Sequence, residues 1–388
     1  MKPAILVTLE YPPQIGGIAE YLRHFIEQFP RGAVHVLAPP AHDTHELDMA
    51  SEAPIYRKPL MSRFLWPHSL PALYWMNWLR RKEKAGLLII SHLLPMGLMA
   101  LVLHRLTGMK YVVIIHGMDA ALAIEAGSRR RKAAEMILKN AEMVIANSNY
   151  TAQFAESFGV TKDKITIVRP SPSLPLDTVA TPEMTAKTRE KYGLGSDFTV
   201  LTVGRLVTRK GHATCIEAVA DLVKRGVAVK YLIVGEGPAR AALEQKAQDL
   251  GVANQVKFTG AVAKEELSSI YGACDVFVMV PKSTGADVEG FGIVYLEANL
   301  LGKPVIGSRS GGVIDAVIDG YNGLLVNPDD TAALTAALQS LVNDSALREK
   351  LGRQGRTRVL DEFGWHRQVA PLLGAFATYL KENGKQRI

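Results

Sequence analysis

Cysteine is nearly absent from this chain of 388 residues, which contains only Cys215 and Cys274. Both lie in apolar segments that are predicted to be structured. Two isolated thiols cannot build the disulfide framework that is typical of small secreted domains. We therefore expect free, buried thiols in a reducing compartment.

Long apolar runs are also lacking. No stretch of about 18 apolar residues occurs, so the sequence predicts no membrane-spanning helix. Met1-Lys2-Pro3 leads directly into an apolar strand, without the charged and apolar regions of a secretion signal. These features predict a cytoplasmic protein.

Several motifs that would indicate other functions are missing. The net charge is +7, and residues 1–180 hold 20 Lys and Arg against 15 Asp and Glu. No nucleic-acid-binding motif accompanies this charge, so nucleic acid is not an expected partner. Gly235-x-Gly237 lacks the third glycine of a dinucleotide fingerprint, which disfavours a dehydrogenase. No His, Cys, Asp and Glu cluster has metal-ligand spacing.

The sequence alternates short apolar segments with helical stretches, which predicts an α/β fold with doubly wound parallel sheets. The alternation occurs twice, and the length suits two domains. A proline-rich segment, residues 169–175, separates the two series and is the predicted hinge. The predicted strands are residues 4–8, 34–38, 87–90, 111–115 and 143–146, followed by 199–203, 231–234, 276–280 and 304–306.

Two glutamates eight positions apart, Glu289 and Glu297, are the most informative feature of the chain. The preceding residues 275–281 predict a buried strand, and a loop then brings Glu289 to the start of a helix. Glu297 falls more than one turn inside that helix, among apolar residues. Such a carboxylate has either a buried protein partner or ligand hydroxyl groups to bind, and the residues alone leave both explanations open.

Glycines at the same helix start favour a bound ligand. Gly290 and Gly292 allow close approach to the backbone. The N–H groups of Phe291, Gly292 and Ile293 would face the ligand, aided by the positive end of the helix dipole.

Arg205 and Lys210 follow a predicted strand and Gly204. A guanidinium fork and a compact ammonium on one short loop could both reach a diphosphate. The alternative is a solvated basic loop, and we expect Arg209 to face solvent.

Further candidates follow strands in the first half of the chain. Gly16 and Gly17 precede a helix predicted from about residue 18 to 29, where their N–H groups could bind an anion. An ordinary strand-to-helix turn is the alternative. His116 ends a strand and is either a substrate contact or a core histidine, and Asp119 is a weaker candidate.

These segments together resemble the retaining nucleotide-sugar glycosyltransferases of family 4, which have the GT-B fold. The pair Glu289 and Glu297 carries the resemblance most strongly, and residues 287–298 look like those of enzymes that mannosylate phosphatidylinositol mannosides. Other segments match in family order and span nearly the whole chain, namely residues 11–18, 203–211, 232–238, 256–260, 302–306 with 311–312, and 320–326.

The resemblance implies two Rossmann-like domains that face an interdomain cleft. We expect residues 1–170 to form an acceptor-side domain, 171–194 a linker and 195–364 the nucleotide-sugar domain. A C-terminal helix, from about Trp365 to residue 388, would cross back to the first domain. Family members often carry Asn-Gly-Val-Asp where this chain has residues 169–175. This difference affects the local geometry that the resemblance implies for the hinge and the acceptor side.

The resemblance also implies the roles of the candidate residues in donor binding and catalysis. The family needs no bound metal, so the only co-substrate expected is a nucleoside diphosphate sugar. Arg205 and Lys210 would bind the leaving diphosphate, Glu297 would bind the ribose hydroxyls, and Gly235 would lie near the base and phosphate. Glu289 and the N–H groups of Phe291, Gly292 and Ile293 would bind the transferred sugar, and His116 would lie beside this sugar. Gly16 and Gly17 would lie beside the β-phosphate and the acceptor.

The segment 64–84 contains three of the four tryptophans and ends in basic residues. Aromatic residues beside Arg80, Arg81, Lys82 and Lys84 suit an anionic membrane surface, which would make the protein peripheral on the inner face of the cell membrane. The alternative is a core helix with a solvated basic end.

We therefore expect a retaining hexosyltransferase with GDP-mannose as the first choice of donor. Its hydroxyl acceptor would be a lipid or another cell-envelope glycan precursor. The alternatives are a UDP-sugar-dependent enzyme with a soluble acceptor, a nucleotide-sugar epimerase that needs no acceptor, and a non-catalytic nucleotide-sugar-binding protein.

Overall fold

The chain divides into two compact units. The first unit comprises Met1–Pro170 and Trp365–Ile388, and the second comprises Ser171–Gly364. The computed structural model describes residues 2–14, 16–117, 128–283 and 288–380, so the candidate Asp119 and the first residue of the 287–298 segment lie outside the described residues.

A parallel sheet forms the centre of the first unit. Among the described residues its seven strands have the order β3-β2-β1-β4-β5-β6-β7, and every neighbouring pair is parallel. The strands are β1 (Ala4–Val7), β2 (Val34–Ala38), β3 (Ile55–Arg57), β4 (Leu87–Ile90), β5 (Lys110–Ile115), β6 (Met143–Ala146) and β7 (Ile165–Ile167). The described helices that follow these strands are α1 (Gly17–Ile26), α2 (His45–Ala50), α3 (Leu70–Lys82), α4 (Met96–Thr107), α5 (Ser128–Asn140) and α6 (Asn149–Ser157).

The second unit repeats this architecture with six parallel strands in the described part of the chain, in the order β10-β9-β8-β11-β12-β13. Its helices are α7 (Pro182–Tyr192), α8 (His212–Lys224), α9 (Arg240–Asp249), α10 (Leu267–Ala273), α11 (Ile293–Leu300), α12 (Val313–Ala316), α13 (Thr331–Asn343) and α14 (Ser345–Glu362). Its strands are β8 (Phe198–Val203), β9 (Val229–Val234), β10 (Val256–Gly260), β11 (Val276–Val278), β12 (Val305–Ser308) and β13 (Gly323–Val326).

Both faces of each sheet are buried, which explains why the strands are continuously apolar. In β1, Ile5 and Val7 pack into one core cluster, whereas Ala4 and Leu6 pack into another on the opposite face. Side chains alternate between the two faces of a strand, so a fully apolar strand needs helices on both sides. This three-layer arrangement confirms the predicted α/β class.

The last helix, α15 (Trp365–Leu380), belongs to the first unit although α14 belongs to the second. Its apolar face contributes Val369, Leu372 and Phe376 to the cluster that contains Phe25 and Phe29. The rings of Phe29 and Phe376 meet edge-on, with centroids 5.4 Å apart. The chain therefore returns to the first unit at Trp365.

The segment 171–194 contains helix α7, and its boundaries have clear local causes. The Thr181 side chain accepts a hydrogen bond from the Met184 N–H, and Pro182 occupies the first turn. Gly193 ends the helix in the left-handed conformation, with φ at 62°. These residues lie within the second unit.

Both cysteines, Cys215 and Cys274, are free and buried, as expected from the sequence. Burial raises the pKa of each thiol to about 12. Separately, none of the helices in the described ranges has the length and apolar character needed to cross a membrane.

Each sheet has one point at which its strand order reverses. In the first unit this point lies between β1 and β4, and in the second it lies between β8 and β11. In open parallel sheets, the loops that leave the carboxyl ends of the two strands diverge there and form a crevice for ligands. Gly16, Arg205 and Glu289 follow strands at these two points.

Candidate active site

The loop after β8 carries the predicted diphosphate cations and lies against the end of β11. It contains a short 3-10 turn, Thr208–Lys210, and ends at Gly211 with φ at 79°. A Cβ at Gly211 would lie 2.3 Å from the Val280 carbonyl oxygen. Only glycine permits this contact, which joins the two loops at the point of strand reversal.

Gly235 and Gly237 support the same loop from β9. Gly235 has φ at 134°, and a Cβ there would lie 2.1 Å from the Gly204 carbonyl oxygen. A Cβ at Gly237 would lie 2.3 Å from the Leu206 carbonyl oxygen. In the structure these glycines are needed for close backbone packing, and contact of Gly235 with the base or phosphate stays a prediction.

Two glycines also hold the backbone of Glu289. The Gly312 N–H donates a hydrogen bond of 2.8 Å to the Glu289 carbonyl oxygen. At Gly311, which has φ at 55°, a Cβ would lie 2.5 Å from the same oxygen. The pair Gly311-Gly312 therefore fixes the loop that precedes α11.

The carboxylate of Glu289 forms ion pairs with two cations of the β8 loop. Its Oε2 lies 2.6 Å from Lys210 Nζ and 2.7 Å from Arg209 Nη1. Burial raises the pKa of this carboxyl, but the two cations outweigh burial and hold the pKa at about 2. The three groups therefore carry one net positive charge at neutral pH.

The prediction that Arg209 faces solvent is wrong. Its side chain is 18% exposed and is paired with Glu289. Arg205, in contrast, is exposed. The sequence could not reveal this because the carboxylate that attracts Arg209 lies eighty positions further along the chain.

The start of α11 presents backbone donors next to this cluster. Gly292 precedes the helix with φ at 92°, and a Cβ there would lie 2.6 Å from the ring of Tyr295. Within the described part of the chain, the N–H groups of Phe291, Gly292 and Ile293 donate to no other protein group. These donors suit a ligand oxygen.

Glu297 lies inside α11 and is 4% exposed. Its Oε2 accepts a hydrogen bond of 2.6 Å from the Tyr271 hydroxyl. Its Oε1 accepts one of 3.3 Å from the Ser173 N–H and another from the Ser173 hydroxyl. The protein partners considered in the sequence analysis are thus present. Ribose binding stays a prediction, because a carboxylate has further lone pairs to offer.

His116 follows β5 in the first unit and is 5% exposed. Its ring meets that of Tyr21 edge-on, with centroids 5.5 Å apart. Burial, and to a lesser extent His92, lowers its pKa to about 3, so the imidazole is neutral at pH 7. Its buried Nε2 has no hydrogen-bond partner among the described residues.

Gly16 and Gly17 lie at the start of α1. A Cβ at Gly17 would meet nothing within 4 Å, and one at Gly16 would lie 3.7 Å from the carboxylate of Glu10. The described surroundings therefore impose no steric need for glycine at either position. A ligand that approaches the backbone would require glycine at these positions, and the binding of such a ligand stays a prediction.

The tryptophans of the 64–84 segment have different environments. Trp75 and Trp78 on α3 pack partly buried against the core, and Lys58 Nζ lies 4.7 Å from the centroid of the Trp75 ring. Phe64 and Trp66, in the loop before α3, are 96% and 86% exposed. The core-helix alternative therefore describes Trp75 and Trp78, whereas the preceding loop presents aromatic side chains to solvent.

Sequence comparison assigns both halves of the chain to known families. The family model described as "Glycosyl transferases group 1" matches residues 184–358, and "Glycosyltransferase Family 4" matches residues 15–171. The GDP-mannose-dependent alpha-(1-6)-phosphatidylinositol monomannoside mannosyltransferase of Mycolicibacterium smegmatis is 33% identical, over 95% of this chain and 96% of its own length. The Mycobacterium tuberculosis protein of the same name is 31% identical, over 96% and 97%.

Solved structures share the fold at lower identity. Anabaena Alr3699/HepE in complex with UDP and glucose has a TM-score of 0.80 at 20% identity, covering 97% of this chain and all of that one. Sucrose-phosphate synthase from Thermosynechococcus elongatus has a TM-score of 0.80 at 23% identity, covering 97% and 99%. At these identities the likeness establishes the fold.

Proposed function

The chain belongs to glycosyltransferase family 4 and is a glycosyltransferase of the GT-B fold, and we propose that it transfers mannose from GDP-mannose to a hydroxyl group of a phosphoinositide-type lipid acceptor. The observation that carries the proposal is the ion-paired contact of Glu289 with Lys210 and Arg209. It brings cations for a diphosphate and a carboxylate for sugar hydroxyls to one point. The choice of donor and acceptor rests on the relatives that are at least 30% identical over most of the chain.

In the proposed reaction the diphosphate oxygens bind Lys210 and the exposed Arg205, with Arg209 as a third cation. Glu289 and the N–H groups of residues 291–293 bind hydroxyls of the mannose. The bond from the anomeric carbon to the phosphate oxygen breaks as the bond to the acceptor oxygen forms on the same face. The acceptor proton passes to the leaving phosphate, whose growing charge the cations stabilise.

The ion cluster prepares this arrangement. Glu289 holds Lys210 in place with a contact of 2.6 Å, so the ammonium needs little reorganisation when a diphosphate arrives. The carboxylate then exchanges part of its contact with the cation for sugar hydroxyls. The remaining positive charge of the cluster is then available to the diphosphate.

The donor assignment is tested by turnover. The purified protein is incubated with GDP-mannose, GDP-glucose, UDP-glucose or UDP-galactose and with phosphatidylinositol, phosphatidylinositol monomannoside or myo-inositol. Products are detected by mass spectrometry, and their anomeric configuration is determined by NMR. We expect α-mannosylated lipid from GDP-mannose. Turnover of a UDP-sugar alone, or of a soluble acceptor alone, would contradict the proposal.

Replacing Glu297 by alanine should weaken GDP binding but have little effect on the binding of 2′-deoxy-GDP, because the carboxylate is proposed to accept the ribose hydroxyls. Calorimetry with both nucleotides measures the difference. Tyr271→Phe is the matched control, since it removes a protein partner of Glu297 and keeps the carboxylate. Equal losses for the two nucleotides would make Glu297 a purely structural residue.

The loop before α3 is proposed to dock the protein on an anionic membrane that carries the acceptor. Phe64, Leu65 and Trp66 are exposed on this loop. Arg81 and Lys84 are exposed at the other end of the 64–84 segment. Exposed aromatic side chains and exposed basic residues are both features of surfaces that bind bilayers with anionic lipids.

Binding to vesicles should be lost when Arg80, Arg81, Lys82 and Lys84 are replaced by serine. Each basic residue near such a surface contributes on the order of 1 kcal/mol. Sedimentation with phosphatidylinositol-containing vesicles, at low and high salt, measures the loss. Serine at residues 129–132 is the matched control, because it removes four positive charges elsewhere in the same unit. Equal release by both variants would mean that charge alone, not this segment, attracts the protein.

Replacing Trp66 by serine tests the same surface without disturbing the core, since this side chain is 86% exposed. The variant should melt as the wild-type protein does, bind vesicles more weakly and bind GDP normally.

A further inference from the structure

Three polar side chains lie at or next to the point of strand reversal in the first sheet. Glu10 follows β1, His92 follows β4 and His116 follows β5. These strands are neighbours in the order β1-β4-β5. Because the carboxyl ends of parallel strands meet at one edge, the three side chains lie where this fold class binds ligands. Sequence reasoning identified only His116 among them.

Hydrogen bonds hold the backbone of Glu10, whereas its carboxylate is partly exposed. The buried Thr8 hydroxyl donates to the Glu10 carbonyl oxygen at 2.7 Å and accepts from the Glu10 N–H at 3.0 Å. The side chain is 30% exposed. Across the described residues, no donor lies within hydrogen-bond distance of the two carboxylate oxygens. The carboxylate is therefore held at the edge of the sheet with its acceptor capacity available.

The imidazole of His92 lies near this carboxylate. Its Nδ1 accepts a hydrogen bond of 3.4 Å from the Leu9 N–H and lies 2.9 Å from the Ser91 hydroxyl. A backbone N–H can only donate, so Nδ1 carries no proton and Nε2 does. His92 Nε2 lies 3.7 Å from Glu10 Oε1, which is too long for a direct hydrogen bond.

The neighbours of these two residues belong to the candidate site. A Cβ at Gly16 would lie 3.7 Å from Glu10 Oε2, so the glycine loop passes beside the carboxylate. His92 influences His116 electrostatically, and the Nε2 of His116 is buried and has no partner in the described part of the chain. A carboxylate, an imidazole donor and an unsatisfied imidazole nitrogen thus line one edge of the sheet.

We propose that Glu10 binds the hydroxyl groups of the acceptor ring, a sugar or cyclitol, and that His92, whose Nε2 lies 3.7 Å from the Glu10 carboxylate, is a positioning residue beside it. An ionised carboxylate only accepts hydrogen bonds, so the groups beside it are hydroxyl donors. A phosphate of the acceptor would be repelled and lies elsewhere. This inference rests on the proposed function and names the polyol ring as the part of the acceptor recognised here.

Transfer kinetics of Glu10→Gln test the assignment. The substitution keeps the shape of a partly exposed side chain, and a thermal melt verifies the fold. We expect the KM for phosphatidylinositol monomannoside to rise at least tenfold. Hydrolysis of GDP-mannose without acceptor, and calorimetric affinity for GDP, should stay within twofold of wild type. Glu10→Asp should recover part of the loss, and the exposed Glu52→Gln is the matched control.

An unchanged acceptor KM would overturn the inference. So would a parallel loss of transfer, hydrolysis and GDP affinity, since Glu10 would then act on the donor or on the fold. His92→Ala should raise the acceptor KM in the same direction, and normal kinetics in that variant would remove His92 from the assignment.

A second measurement separates this inference from the proposed function. Saturation-transfer NMR detects binding of methyl α-mannoside and myo-inositol to the GDP-bound protein without any turnover. We expect binding of at least one polyol by the wild-type protein and its loss in Glu10→Gln. If GDP-mannose is not a donor but this loss is observed, the proposed donor is wrong and the polyol site stands. If neither polyol binds the wild-type protein, the polyol site is wrong.

Discussion

Replacing Glu289 by glutamine is expected to reduce mannose transfer by about 100-fold or more while GDP affinity stays equal or increases. The carboxylate is proposed to bind mannose hydroxyls, and loss of such a contact at the reacting sugar lowers the rate by this order. The same carboxylate is paired with Lys210 and Arg209 and would compete with the diphosphate for these cations. Initial rates with GDP-mannose and calorimetry with GDP measure the two effects.

The stability of the Glu289→Gln variant supplies an independent readout. Removing one partner of a buried ion cluster costs about 3 kcal/mol or more, because the remaining charges lose their compensation. The variant should therefore melt at a lower temperature, and GDP should raise its Tm more than it raises that of wild type. Glu236→Gln, at an exposed pair with Arg240, is the control. A variant with wild-type transfer rates would exclude Glu289 from sugar binding.

Replacing Lys210 by alanine is expected to weaken GDP binding by about 10- to 150-fold. A charge-assisted hydrogen bond contributes about 1.5–3 kcal/mol, and 1.4 kcal/mol corresponds to a factor of ten. Arg205→Ala should act in the same direction. GMP, which lacks the β-phosphate, should lose less affinity than GDP in both variants. Calorimetry with GDP and GMP measures these differences.

The controls for this experiment come from the same unit. Lys224→Ala removes an exposed positive charge on α8 and should leave GDP affinity unchanged. The Arg209→Ala variant tests whether the second ion-pair partner of Glu289 also contacts the diphosphate. Unchanged GDP affinity in both Lys210→Ala and Arg205→Ala would show that the β8 loop is not a diphosphate clamp.

The sequence alone predicted the architecture because its signals are local. Continuously apolar strands require a sheet that is buried on both faces, and their alternation with helices requires parallel pairing. Most strands were located within about two residues. The strands β3, β7, β10 and β13 were missed, because each of them is short and contains partly exposed residues that weaken its apolar pattern.

The sequence motifs also contained the structurally important glycines, but they did not reveal what each glycine contacts. Gly211, Gly235 and Gly312 stand where a Cβ would collide with a carbonyl oxygen of another loop. These three glycines lie in sequence segments that match the family. Only the structure shows that at these positions the approaching group is the protein backbone.

The side-chain partners of the candidate site were decided by tertiary structure. Arg209 and Lys210 are adjacent basic residues on one loop, and nothing local distinguishes their directions. Folding brings Glu289, whose side chain is 12% exposed, within ion-pair distance of both, which turns Arg209 inward and leaves Arg205 exposed. Likewise, Glu10 and His92 are about eighty positions apart, and they face each other only because β1 and β4 are neighbouring strands. The sequence by itself therefore determined the sheets and the family motifs, which depend on residues close together in the chain. The fold decided which charges meet, because a buried charge is stable only beside a partner that distant residues supply.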